Sequence, residues 1–265
     1  MTNYVFILDL DGTIIGNCIY QAEIYKISLI LNKLGVKIKI NNILEEYYKE
    51  KSKLIRPYFM YFIEKMREYF PNSYFYIYTA SEKKWAEKEI SILEKSLNIK
   101  FNRPIFTRND CLTIKSEDGS SNLLKKSIEN IKKKIKVKNP EILIIDDNNV
   151  YIDNNDKLLL CKTYNYKSFC NYWEYIQMDK ITNKIFIDYL NKLIFNKTLN
   201  PNNNYSNMKQ MTQTYKWFYN NCLIINEQNK QYKKDDFWLK LTKIIIENKI
   251  TSFNSTSIKF ITKSL

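Results

Sequence analysis

Residues 4–13 read YVFILDLDGT, from Tyr4 to Thr13, and these ten side chains carry the architecture. Residues 4–10 form a short apolar run of aromatic and β-branched types that ends in acid and glycine, the pattern of a buried strand. Asp9 and Asp11 stand two apart, which at a strand end aims both carboxylates to one side, and Gly12 permits a tight exit. Two further runs share that form: residues 73–79 (SYFYIYT), followed by Ala80 and Ser81, and residues 141–145 (EILII), followed by Asp146, Asp147 and Asn148. Between them the period becomes helical. Residues 58–70 put Phe59, Phe62, Ile63 and Met66 on one stripe, and residues 85–97 do the same with Ile90, Ile92, Leu93 and Leu97. Alternating strand and helix predicts an α/β fold, a Rossmann-like three-layer parallel sheet with helices on both faces.

Outward from this frame, residues 14–55 read as a helical insertion after the first strand, with helices over 20–34, stopped by Gly35, and 43–54. It would sit above the carboxyl end of that strand. A further strand is expected over 159–164 and a helix over 181–195, closing a main domain of residues 1–195. An Asn-rich linker over 196–208, containing Pro201, then leads to a small helical C-terminal appendage over 209–265, basic and aromatic. That appendage holds a polar-aromatic segment at 211–225 and a helix opened by Asp235 and Asp236, with Phe237, Leu241, Ile244 and Ile245 as its stripe.

Composition narrows the chemistry. The 265 residues are 45% hydrophobic and 15% aromatic, enough for one full core. With no histidine there is no Ser-His or Cys-His pair and no His-ligated zinc or haem. The five cysteines, Cys18, Cys111, Cys161, Cys170 and Cys222, are odd in number and never paired as C-x-x-C, as expected of free thiols in a reducing compartment. None has arginine six positions on, so a cysteine-nucleophile phosphatase loop is missing. The amino terminus meets a charge too early for a signal peptide, and no stretch reaches the roughly 18 apolar residues of a membrane span. A soluble intracellular protein, cytoplasmic or nuclear, without a membrane partner is expected. The formal charge of +14 favours acidic partners such as phosphoproteins or nucleic acid. An excess of Lys, Asn, Ile and Tyr together is the competing, purely compositional source of that charge.

Open α/β sheets bind ligands at the carboxyl ends of their strands, so Asp9, Asp11, Thr79, Ser81, Asp146 and Asp147 should converge. Four carboxylates in one crevice repel unless a cation joins them, and hard oxygen ligands select Mg²⁺. Such a site suits phosphoryl transfer, with Asp9 attacking phosphorus and Asp11 serving as acid and then base. The Thr79 hydroxyl would hold a phosphate oxygen, and Lys125 or Lys126 would reach the phosphate. Taken alone, DLDGT is also the pattern of a Ca²⁺-loop fragment or a plain strand-turn; the two other strand ends at suitable spacing argue against that.

The ordered set resembles the haloacid-dehalogenase superfamily of aspartate-nucleophile phosphatases. Within it, residues 55–81 (IRPYFMYFIEKMREYFPNSYFYIYTAS) are similar to the RP-x(3)-FL helix and YTAS strand end of the RNA polymerase II C-terminal-domain phosphatases, also called NLI-interacting-factor-like. IFTRNDC at 105–111 resembles that family's L-x-R-x-x-C segment, Lys126-Ser127-Ile128 its K-[DS]-L motif, and ILIIDDN its metal-binding strand end. The resemblance covers roughly residues 4–195. It implies Asp9 as nucleophile and Mg²⁺ ligand, and Asp11 as general acid/base that also gives a backbone carbonyl to the metal. It further implies Thr79 and Lys126 as phosphate ligands, and Asp147, with Asp146, as the rest of the metal shell. The implied substrate is phosphoserine or phosphothreonine in a phosphoprotein. Three positions depart from the family: Gly12 stands where Glu is usual, the 14–55 insertion is long, and residues 116–122 stretch the interval from Cys111 to Lys126. A nucleic-acid or nucleotide phosphatase and a catalytically idle binding module on the same fold are the rival readings. Retention of Asp9, Asp11, Thr79 and Asp147 argues against the idle module.

The remaining features have bland readings beside the functional ones. The lysine run at 125–138 fits a phosphorylated or nucleic-acid partner, or simply a solvated helix face. Trp217, Phe218 and Trp238 fit base stacking, or packing of the appendage onto the main domain. Cys111 near the site fits a small buried apolar role.

Overall fold

A computed structural model describes the chain over residues 2–17, 53–116, 118–167, 224 and 227–265. The insertion helix expected at 20–34, all but the last two residues of the one at 43–54, the helix at 181–195, the Asn-rich linker and nearly all of the 211–225 segment, with Trp217 and Phe218, lie outside these residues.

The elements run β1 (Tyr4–Leu8), α1 (Phe59–Tyr69), β2 (Ser73–Ile77), α2 (Lys83–Leu97), β3 (Leu112–Lys115), β4 (Asn122–Lys125), α3 (Ile128–Lys132), β5 (Glu141–Asp146), β6 (Leu158–Leu160), α4 (Phe237–Glu247) and α5 (Ser255–Ser264). Four strands form one sheet in the order β2-β1-β5-β6, and every pair in it is parallel. Leu8 lies opposite both Ile77 and Ile145, so the carboxyl ends of β1, β2 and β5 finish level with one another.

Strand period 2 splits the sheet's side chains between two cores. Phe6 and Leu8 face the same side as Phe75, Ile77, Leu143 and Ile145, against α1, α2, α4 and α5. Val5, Ile7, Tyr76, Ile142 and Ile144 face the other side, where Ile128 and Ile131 of α3 cover them. Phe6 stacks on Phe75 across β1 and β2 at 4.8 Å between ring centroids. Burying each such side chain contributes roughly 1.5–3 kcal/mol.

β1 and β2 are shorter than the apolar runs that announce them, whereas β5 extends one residue past its run, to Asp146. β1 stops at Leu8, although the Asp9 N–H still reaches the Ile145 carbonyl at 3.0 Å. The Leu10 carbonyl then accepts from both Ile14 and Ile15, which turns the chain out of the sheet. β6 covers Leu158–Leu160 rather than 159–164. The lysine run yields only a five-residue helix, because Ile135 and Val137 fold back beneath the sheet. Lys132 pairs with Glu129 at 3.2 Å and Lys134 with Asp110 at 2.6 Å, both lysines more than half exposed.

The sequence places neither the hairpin β3–β4 nor, within the expected helical appendage, the helix α5. The antiparallel hairpin β3–β4 fills the stretched interval before Lys126; it turns at Gly119 (φ +68°), where the Asp118 carboxylate accepts the Ser116 and Ser120 hydroxyls. Helix α5 starts at Asn254, whose side chain accepts from the Thr256 and Ser257 N–H groups.

The C-terminal helices close the core under the first face. Trp238 is fully buried, 4.6 Å from the Phe62 ring and 5.2 Å from that of Phe59, so its indole packs the core and cannot stack a base. Asp235 opens α4 as expected, its Oδ1 accepting the Phe237 N–H at 3.3 Å, and it also accepts from Arg56 with both carboxylate oxygens, at 2.9 and 3.0 Å. The guanidinium is 1% exposed, lies 4.4 Å over the Phe237 ring and donates to Cys161 Sγ at 3.4 Å.

Candidate active site

The site is built from what leaves the sheet at its carboxyl edge. Asp9 is the first residue past β1, still held to β5 by its N–H, and it is 6% exposed. The loop after it closes with the Gly12 N–H on the Ile15 carbonyl at 2.8 Å, and Gly12 sits at φ +83°, where a side chain is strained. A Cβ at Gly12 would lie 2.6 Å from Asp147 Oδ2. Glycine therefore lets the loop after β1 approach the carboxylate after β5, a reason for Gly12 that the sequence alone does not reveal.

Lys126 joins the two strand ends. Its ammonium donates to Asp9 Oδ1 at 2.6 Å and to Asp146 Oδ2 at 2.7 Å, and its side chain is 3% exposed. The cation required by clustered carboxylates is thus supplied in part by the chain itself. Lys125 stays within β4, opposite Leu112. The rings of Tyr78 and Tyr151 lie 5.6 and 5.7 Å from the Lys126 nitrogen.

Burial governs the protonation of this cluster. Burial pushes the Asp9 carboxyl up to about 8, Lys126 pulls against it, and Asp146 and Asp11 reinforce the rise. Burial likewise raises Asp146 and Asp11 above the usual carboxylate range, with Ser81 and Lys126 opposing it at Asp11. Burial alone would lower Lys126, but Asp9, Tyr151 and Asp146 outweigh it and hold the ammonium protonated well above its ordinary range.

Asp11 has a different hydrogen-bond partner. Its Oδ2 accepts the Ser81 hydroxyl at 2.8 Å, which binds the loop after β1 to the segment after β2. Thr79, 1% exposed, is fixed by its N–H on the Phe106 carbonyl at 3.0 Å, and its Oγ1 accepts the Ser81 N–H at 3.1 Å. With a lone pair so engaged, the Thr79 O–H proton is free to point toward an anion. Thr13 is also buried, its hydroxyl 3.7 Å from Cys161 Sγ. Cys111, read as a small buried residue, is only partly covered, and its thiol donates to the Thr107 carbonyl at 3.7 Å.

Asp9, Asp146 and Asp147 each offer a carboxylate oxygen, all within 4.8 Å of one another. An all-oxygen, multiply charged donor set suits a hard divalent cation, so these residues fit a metal ion. Asn148 organises two of them: its N–H donates to Asp146 Oδ1 and its side-chain amide to Asp147 Oδ1, both at 2.8 Å. Asn148, Tyr151 and Asp153 are site-lining or site-supporting residues that the sequence reading passes over, since an Asn-rich, Tyr-rich chain gives them no distinguishing signal.

Among the described residues no helix is long and apolar enough to cross a membrane. Comparison with curated proteins finds no match. Among solved structures the chain is similar to a phosphoserine phosphohydrolase-like protein from Francisella tularensis subsp. tularensis SCHU S4, at 20% identity, covering 57% of this chain and 80% of that one, with a TM-score of 0.29. It is also similar to the fission yeast RNA polymerase II CTD phosphatase Fcp1, at 14% identity over 97% of this chain and 69% of that one, with a TM-score of 0.38. A third similarity is to the HAD domain of the effector protein Lem4 from Legionella pneumophila, at 13% identity over 70% and 99% of the two chains, with a TM-score of 0.34. The model of the NLI interacting factor-like phosphatase family matches residues 4–178. That match spans the sheet, the DLDGT loop, Lys126 and the paired aspartates, and the chain belongs to the NLI interacting factor-like phosphatase family.

Proposed function

We propose that this chain is a Mg²⁺-dependent phosphatase that removes phosphate from phosphoserine or phosphothreonine in protein through an aspartyl-phosphate at Asp9. The observation that carries the reading is the convergence of one buried lysine on two buried aspartates at adjacent parallel strand ends, with a third aspartate beside them.

In the first half-reaction an Asp9 oxygen attacks phosphorus, the bond from phosphorus to the ester oxygen breaks, and Asp11 gives its proton to the leaving hydroxyl. Burial keeps Asp11 above the ordinary carboxylate range, which suits a group that must hold a proton before it delivers one. In the second, water attacks the same phosphorus, the bond to Asp9 breaks, and Asp11 takes the water's proton. Lys126 and the Thr79 hydroxyl hold phosphoryl oxygens through both steps. When bound to Asp9, Asp146, Asp147 and the Asp11 carbonyl, Mg²⁺ would neutralise phosphoryl charge and favour ionised Asp9. The family match and the +14 charge support a phosphorylated, acidic polypeptide as substrate.

The test is hydrolysis of an aryl phosphate with and without Mg²⁺, by wild type and Asp9→Asn side by side, followed by phosphopeptide against 5′-phosphorylated oligonucleotide. Metal-dependent turnover that disappears in a folded Asp9→Asn protein is expected, with preference for the peptide. Turnover persisting in Asp9→Asn would sink the mechanism, and preference for the oligonucleotide would sink the substrate.

A further inference from the structure

Lys126 lies at the join of β4 and α3, outside the parallel sheet, so the sheet that fixes Asp9 and Asp146 does not fix the lysine's backbone. A four-carbon side chain on a loosely held backbone would not deliver its ammonium to one spot between two carboxylates. The segment that descends from the paired aspartates supplies the missing constraint. The Lys126 N–H donates to the Val150 carbonyl at 2.9 Å, and the Ile152 N–H donates to the Lys126 carbonyl at 3.1 Å, a single parallel bridge centred on Tyr151. The next residue, Asp153, takes hold of the chain just past the lysine: its Oδ2 accepts the Ser127 hydroxyl at 2.5 Å and its Oδ1 the Ile128 N–H at 2.7 Å. Ser127 is itself 3% exposed and accepts the Asn130 N–H at 3.1 Å, so the grip extends into α3.

We propose that Asp153 is a positioning residue for Lys126: its carboxylate locks residues 126–128 onto the loop that carries Asp146 and Asp147, so that lysine and carboxylates keep one geometry. Asp153 touches no reacting group and acts through the lysine's backbone. The kinetic consequence rests on the reading above, in which Lys126 holds the phosphoryl group; the positional claim does not.

The test pairs two readouts on Asp153→Ala and on Asp153→Asn, which retains one acceptor for the Ile128 N–H. The first is the rate at which a limited pulse of acetic anhydride labels Lys126 in the folded protein, read by mass spectrometry against exposed Lys132. Wild type should protect Lys126; Asp153→Ala should label it about tenfold faster or more, with Asp153→Asn between. The second is aryl-phosphate turnover, where kcat/KM should fall about tenfold to a hundredfold, with inorganic phosphate weakened as an inhibitor, as expected for a group displaced by an ångström or so. A merely structural residue would lower the melting temperature and leave both readouts unchanged well below it. Unchanged Lys126 labelling overturns the proposal whatever the kinetics. Accelerated labelling with unchanged kinetics upholds it and instead overturns the assignment of Lys126 to phosphate. If Asp153→Ala fails to fold, Asp153→Asn decides by the same criteria.

Discussion

Removing the Asp235 carboxylate should destabilise the protein far more than a residue so near the end of the chain would suggest. Asp235→Ala deletes two charge-assisted hydrogen bonds, at 2.9 and 3.0 Å, and leaves the Arg56 guanidinium buried with only 1% of its side chain exposed. What remains beside the cation is the Cys161 sulfur at 3.4 Å and the rings of Phe237 and Tyr164 at 4.4 and 5.6 Å. Breaking a buried pair by deleting one partner costs about 3–5 kcal/mol, because the surviving charge is stranded. The rings flank the guanidinium with or without Asp235, so they do not offset that loss, and a cost of about 3 kcal/mol or more follows. With an m-value of about 1–3 kcal/mol/M, the urea midpoint should fall by about 1 M or more. The reverse deletion, Arg56→Met, strands only an Asp235 side chain that is 15% exposed and can reach water, so it should cost less. Combining Arg56→Met with Asp235→Ala should cost no more than Asp235→Ala alone, a coupling of roughly 2 kcal/mol in the double-mutant cycle. Urea unfolding followed by circular dichroism reads all four proteins. An Asp235→Ala loss within about 0.5 kcal/mol of zero, or additive single mutants, would refute the stranded-charge argument.

Three further outcomes follow from other parts of the molecule. Gly12→Ala puts a Cβ 2.6 Å from Asp147 Oδ2 at φ +83°, so about 1–2 kcal/mol of stability should go and the Mg²⁺ needed for half-maximal hydrolysis should rise about tenfold; an unchanged Mg²⁺ titration would show that Asp147 does not hold the ion. Burial alone would raise Glu94, but Arg103, the Phe101 N–H and Lys100 outweigh it and hold the carboxyl below its ordinary range; its contribution is therefore complete above about pH 4.3 and fades as pH falls through the native value. Melting curves of wild type and Glu94→Gln should accordingly converge on acidification, and a gap that stays constant from pH 7 to pH 3 would contradict this. Chelation by EDTA should stop aryl-phosphate hydrolysis while circular dichroism stays native, because Lys126 already bridges Asp9 and Asp146; undiminished hydrolysis in EDTA would remove the metal from the mechanism.

The parallel sheet was legible in the sequence because its evidence is local: apolar runs at 4–10, 73–79 and 141–145, each ending in small or acidic residues, with helical stripes between them. Level strand ends then bring Asp9, Thr79 and Asp146 to one edge, and the buried stripe of α1 follows from Phe59, Phe62, Ile63 and Met66. The absence of histidine restricted proton transfer to other groups before any coordinate was known. Tertiary structure decided which of two neighbouring lysines meets the carboxylates, since the register of β3 against β4 commits Lys125 to the hairpin and frees Lys126 to turn inward. It also decided why Gly12 is glycine, where Asp235 spends its charge, and that Asp153 grips the chain beyond Lys126; each is a contact between segments that stand 25 to 179 residues apart. Periodicity reports which face of an element is buried, whereas pairings across such separations depend on how the elements pack, and no local pattern encodes them.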